Sequence, residues 1–120
     1  GEAKEAFEAA YAGVSADGSP TFIFAPQAYD AVMLMAISAA ANGVTGPEIA
    51  SGLVAASSGG EKCIGVACIA LAADGVDVDY VGASGEIELN DAGDPTAATY
   101  DIWTTEGDTN PVLESVDFGS

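Results

Sequence analysis

The sequence predicts an α/β chain with helices first and short strands last. Three observations carry this. Between residues 1 and 75, apolar positions recur at helical spacing and are punctuated by Gly and Pro. From about 76 to 120 the spacing changes to alternation: Val76, Val78 and Tyr80 against Asp77 and Asp79, then Ile87 and Leu89 against Glu86 and Glu88. Hydrophobic residues make up 49% of the 120, which excludes disorder and provides a modest core for a single domain.

The first helix is expected over 2–12. Glu2, Glu5 and Glu8 lie toward its start, where the helix dipole favours acids, and Phe7 and Tyr11 share a face. Gly13 is a plausible stop, and 15–20 read as a loop of turn formers. A short apolar run of Thr21, Phe22, Ile23 and Phe24 leads to Pro26. The strongest helical signal covers 27–41. Asp30, Ser38 and Asn42 form one narrow polar stripe, and nearly every other position is apolar, including Tyr29, Val32, Met33, Leu34, Met35 and Ile37. Such a helix expects neighbours on several faces. Asn42-Gly43 ends it.

The next helix opens on a capping box, Thr45-Gly46-Pro47-Glu48, and stops near Gly59-Gly60. Ile49, Leu53 and Val54 are its apolar face. A short helix over 64–73 follows and ends at Asp74-Gly75. Strands are expected at 76–80, 86–89, 100–104 and 112–116.

Charge limits the functions available. Against 19 acids stand Lys4 and Lys62, with no Arg or His, for a net charge of −17. Nucleic acid and anionic membranes would repel such a surface. The acids serve either as a binding surface for a cationic partner or as a solvated shell suited to a salty medium; their spread along the chain favours the shell. Without His or Arg the usual bases, metal ligands and anion clamps are missing, so an enzyme, a metal site and a cofactor are not expected. The most apolar stretch, 31–41, is too short to span a bilayer. No signal peptide is visible, so an export signal is expected outside this sequence. Cys63 and Cys68 fall short of a zinc site and do not have redox spacing. They read as a disulfide, with Cys63 in a loop and Cys68 in the first turn of the following helix, or as two reduced buried thiols. A disulfide would place the protein outside the cytoplasm.

Several stretches, in order, resemble the final third of branched-chain amino acid binding proteins, the type I solute-binding class that feeds ABC importers. Phe7 and Tyr11 look like the family's Phe-x-x-x-Tyr segment, and Ala28-Tyr29-Asp30-Ala31-Val32 resembles its Tyr-Asp-Ala-Val helix start. Asn42-Gly43 with Thr45-Gly46 looks like the loop after that helix, and 60–68 is similar to a cysteine-bearing insert of one subset. Asp79-Tyr80-Val81-Gly82-Ala83-Ser84-Gly85 resembles the Tyr-x-Gly-x-Ser-Gly turn. Asn90-Asp91-Ala92-Gly93-Asp94-Pro95 and Tyr100-Asp101-Ile102-Trp103 look like the final turn and strand.

The resemblance implies a partial type I periplasmic-binding-protein-like lobe whose helices pack against a parallel sheet. Residues 1–120 would be a single C-terminal segment of a two-lobed protein, completed by an N-terminal part or another chain. It implies capture of a branched-chain or other amino acid by lobe closure, an ABC permease as partner, and a periplasmic or cell-surface location. An acidic extracellular structural domain and a ligand-sensing receptor domain of the same fold are the rival readings.

Phe24 is the leading pocket candidate, since the resemblance implies an aromatic against an aliphatic ligand at this position; Ala25 and Gln27 flank the same edge. The alternative is that Phe22 and Phe24 staple the loop onto the core. The groups that grip an amino acid's amino and carboxylate ends are implied to lie upstream. Ser84 has no base nearby in sequence, and residues 90–94 lack the ligand spacing of a calcium loop.

Overall fold

The computed structural model describes residues 1–15 and 23–119. Most of the loop expected over 15–20, with Thr21 and Phe22, lies outside these residues. Among them are four helices, α1 (Glu2–Val14), α2 (Ala25–Asn42), α3 (Gly46–Ala56) and α4 (Val66–Ala73). The five strands are β1 (Glu61–Ile64), β2 (Val78–Gly82), β3 (Gly85–Glu86), β4 (Ala98–Trp103) and β5 (Val112–Phe118). β1 and β2 run parallel, joined through α4, and β3 returns antiparallel to β2. β4 and β5 form a separate antiparallel pair. This mixed α/β architecture is compatible with the partial lobe that the resemblance implies.

The helices end where local chemistry stops them. Pro26 sits in the first turn of α2, where its missing N–H costs nothing, and Gly43 closes the helix at φ 121° with its N–H on the Ala39 carbonyl. At α3 the capping box forms. The Glu48 carboxylate accepts the Thr45 N–H at 3.0 Å and the Thr45 hydroxyl at 2.7 Å. The hydroxyl contact first, then the backbone one, holds the Glu48 carboxyl below its ordinary range.

α2 is the spine of the core. Met33, Leu34 and Ile37 pack with Ala56, Cys68, Ala72, Val78 and Tyr80. Two residues of the α2 polar stripe face this interior: Asp30 and Ser38 are buried, while Asn42, Val32 and Met35 are exposed. Ser38 donates its hydroxyl to the Ile49 carbonyl at 2.7 Å, tying α2 to α3. Gly52 makes the close approach possible, because a Cβ there would collide with the Ser38 hydroxyl and the Asn42 side chain. α1 docks through Phe7, whose ring centroid lies 5.3 Å from that of Tyr29. Tyr29 is half-buried in this contact.

Three expectations need correction. Cys63 lies in strand β1, paired with Tyr80, rather than in a loop. The chain turns into α4 only at Gly65, whose φ of 55° makes the junction, so the helix starts at Val66 and not at residue 64. The Cys63–Cys68 disulfide spans that junction, with Cα atoms 5.4 Å apart. The strand expected at 86–89 ends at Glu86. Ile87 and Leu89 leave the ladder to pack on the core, and only an isolated bridge, Leu89 to Pro95, follows.

The β4–β5 hairpin is two-faced over its first four rungs. Its register puts Ala98 and Tyr100 with Val116 and Phe118 on one face, and Thr99 and Asp101 with Ser115 and Asp117 on the other. The division breaks down where Ile102 meets Glu114 and Trp103 meets Val112. Nearly every hairpin residue is exposed, Tyr100 at 60% and Phe118 at 65%. The chain accordingly exposes 7581 Å² at 11.8 kDa, where a compact protein of that mass exposes about 5,900 Å². Its radius of gyration, 15.5 Å, likewise exceeds the roughly 14 Å of a compact domain.

Two predictions follow from these features. The disulfide closes a ring over a sequence separation of only 5, so its reduction should lower the unfolding free energy by about 2 kcal/mol, read from the urea midpoint with and without reductant. The net charge of −17 opposes compaction unless screened. The melting temperature should therefore rise from low salt to about 1 M NaCl, where the screening length falls to a few ångströms; a flat response would rule out self-repulsion as a significant term.

Candidate functional site

The site is built around the first half of α2 and the turn that follows β2. Asp30 projects from α2 into this turn and is 2% exposed. Its Oδ1 accepts the Tyr80 hydroxyl at 2.8 Å and the Ala83 N–H at 2.8 Å. Its Oδ2 accepts the Ser84 N–H at 2.8 Å and the Ser84 hydroxyl at 2.6 Å. A buried carboxylate is costly without donors, and here both oxygens are doubly supplied. The glycines make room for it: a Cβ on Gly82 would lie 2.6 Å from Asp30 Oδ2, and Gly85 takes φ 127° to close the turn into β3. Burial first, and then the hydrogen bond to Asp30, push the Tyr80 hydroxyl well above the ordinary tyrosine range, so it remains a donor.

Beside this hub lies an open groove of about 640 Å³. Gln27 and Leu34 of α2, Ser57 and Ser58 after α3, the 84–89 segment and the end of the hairpin at Asp117 and Phe118 surround it. Ser57 ties two of these walls together. Its hydroxyl donates to the Val54 carbonyl at 2.8 Å and accepts the Leu89 N–H at 3.1 Å. The ionisable lining is acidic: Asp79, Glu86, Glu88 and Asp117 border the groove with Asp30 at its base. Lys62 stands outside, donating to Glu86 at 2.6 Å, a contact that raises its own pKa. The lining thus offers hydroxyls, carboxylates and apolar surface, but no fixed positive charge for a ligand carboxylate.

The three residues singled out from the sequence are separated. Gln27 lines the groove. Ala25 is the first residue of α2 and is half-buried away from it. Phe24 caps α2 in the left-handed region at φ 66°, and among the described residues it is the non-glycine with positive φ. At 75% exposed, Phe24 staples nothing onto the core. The Asp30–Tyr80–Ser84 cluster went unnamed as a site, although an acid isolated within an otherwise apolar helix, together with a Gly-x-Ser-Gly turn, signalled it. Among the described residues there is no group of His, Cys, Asp and Glu that could hold a metal ion. No described helix is long and apolar enough to cross a membrane.

A family model, the receptor family ligand binding region, matches residues 3–108. The chain belongs to this family. No curated protein and no solved structure matches it. Membership in the receptor family ligand binding region agrees with the resemblance to type I solute-binding proteins and makes small-molecule binding the coarse function of the fold. The disulfide in this ligand binding region fits an oxidising, extracytoplasmic compartment.

The raised Tyr80 pKa has a testable consequence. Unfolded tyrosine releases its proton near pH 10, whereas folded Tyr80 keeps it. Rising pH therefore favours the unfolded chain, and stability should fall above about pH 10. Tyr80→Phe should flatten that alkaline loss in thermal melts, at the cost of lower stability near neutral pH from the lost hydrogen bond.

Proposed function

We propose that this chain is one wall of a solute-capture site in the substrate-binding component of an ABC importer. The site holds amino acids or similar small solutes by lobe closure. The observation that carries the reading is the match of residues 3–108 to a ligand-binding family. Three structural features support it. The groove is open rather than enclosed, as one half of a two-lobed cleft would be. The exposed outer face of α2 and the exposed hairpin offer surface for a further polypeptide segment to complete the fold. The lining has no cation, so the grip on a solute carboxylate comes from the other wall.

Capture involves no chemistry on the solute. Ser84 donates its hydroxyl to Asp30 with no histidine to relay a proton, and the Tyr80 hydroxyl is held protonated. Work of this kind belongs in the periplasm or at the cell surface, in keeping with the disulfide. Of Phe24, Ala25 and Gln27 at the head of α2, Gln27 is the one that lines the groove. A second reading, a sensor domain of a receptor, is favoured by the family's own description. It uses the same groove, but output passes to a signalling partner instead of a permease.

The test is titration of the chain with L-leucine, followed by amide NMR shifts. Weak binding in the millimolar range, with shifts at Gln27, Ser84 and Glu86, is the expected result. No shift at any groove residue would overturn capture by this wall, and micromolar binding would overturn the division of the site between two walls. Phe24→Gly should stabilise the fold by about 1 kcal/mol through relief of the left-handed backbone, read from the urea midpoint.

A further inference from the structure

We infer that Asp30 is the positioning residue of the groove: its carboxylate, held by four donors, fixes the 82–85 turn and so sets where the groove's lip stands. The inference deepens the capture reading and rests on the groove being the ligand site.

The geometry makes the dependence specific. Ser84, Gly85 and Glu86 line the groove, and the first of them is anchored twice to Asp30 Oδ2. The preceding residue, Ala83, is anchored once to Oδ1, beside the Tyr80 hydroxyl. The turn has little else to fix it. β3 is two residues long, and Gly82 and Gly85, paired across the turn, supply no side chains of their own. Two glycines flanking a two-residue turn leave a wide choice of backbone conformations. Asp30 selects one, because a carboxylate is acceptor-only at both oxygens and can take two donors at each. An amide cannot replace it: one end of Asn would point N–H groups at two donors. Gly82 is shaped to the same task, since a Cβ there would lie 2.6 Å from Oδ2 and 2.6 Å from Ile87 Cδ1.

The lip is therefore indexed to α2, which also supplies Gln27 and Leu34 to the opposite side of the groove. The width of the opening is set by one buried side chain at the groove's base.

The experiment is NMR of the chain without added solute, so its outcome is independent of whether amino acids bind. In the wild type, scalar couplings across the hydrogen bonds from the Ala83 and Ser84 amides to the Asp30 carboxyl carbon should be detected. Their absence overturns the inference without any variant having to fold. In Asp30→Asn, exchange of the Ala83 and Ser84 amides should accelerate by about 100-fold. Relaxation dispersion should appear at 84–87, while the amides of α3 keep their wild-type line shapes. Unchanged exchange at Ala83 and Ser84 overturns the inference. So does acceleration spread equally over α3, which marks Asp30 as a general stabiliser. Tyr80→Phe removes one donor and leaves both amide contacts, so exchange at Ala83 and Ser84 should change by less than about threefold. A leucine titration that shows no shift would sink the capture reading and leave the indexing of the lip intact.

Discussion

A carboxylate placed in an apolar helix must find its donors before that helix can pack. In this chain the requirement decides the rotation of α2. Asp30 meets the Tyr80 hydroxyl and the turn after β2, and Ser38, two turns further on, reaches the Ile49 carbonyl of α3. Once these two positions face inward, Met33, Leu34 and Ile37 fall on the core side, and Val32 and Met35 are directed outward. A rotation that hid Val32 and Met35 instead would turn Asp30 and Ser38 away from these partners and carry Leu34 and Ile37 out of the core.

That choice explains why a well-ordered core coexists with so much uncovered apolar surface. The chain's own elements cover one side of α2 and both sides of β2, whose residues alternate between buried and half-buried. They do not cover the outer side of α2 or either face of the hairpin. The charge distribution adds to the asymmetry. Lys4 and Lys62 are the positive side chains, so the chain beyond residue 62 carries acids alone. The groove, assembled almost entirely from that half together with α2, inherits its sign.

Much of the architecture was legible in the sequence because it is written in local chemistry. Gly43 and the Thr45–Glu48 box fix the turn between α2 and α3, and both motifs stand four residues or fewer from what they control. The alternation from Val76 to Tyr80 announced β2. β1 was not legible, because Glu61, Lys62, Cys63 and Ile64 do not alternate, and their strand character comes from pairing with β2. The 86–89 stretch failed the other way: its alternation is real, but Ile87 and Leu89 answer to the core and not to a neighbouring strand. The stripe of Asp30, Ser38 and Asn42 was visible, yet a stripe does not say which way it faces. Its partner, Ala83, lies 53 positions away. The groove was invisible for the same reason, since it draws on residues from Gln27 to Gly119.

The hairpin imposes a compromise on the whole surface. Among the described residues β4 and β5 pair with each other and with no further strand, so each leaves an outer edge of N–H and C=O groups open to another strand. Asp101 and Asp117 keep such edges apart between molecules through like-charge repulsion, which works only while it is felt at a distance. Ions that let one chain draw itself together also let two chains approach edge to edge. The conditions that favour the individual fold are thus the ones in which colloidal association begins, and a covering segment over the hairpin would remove that conflict.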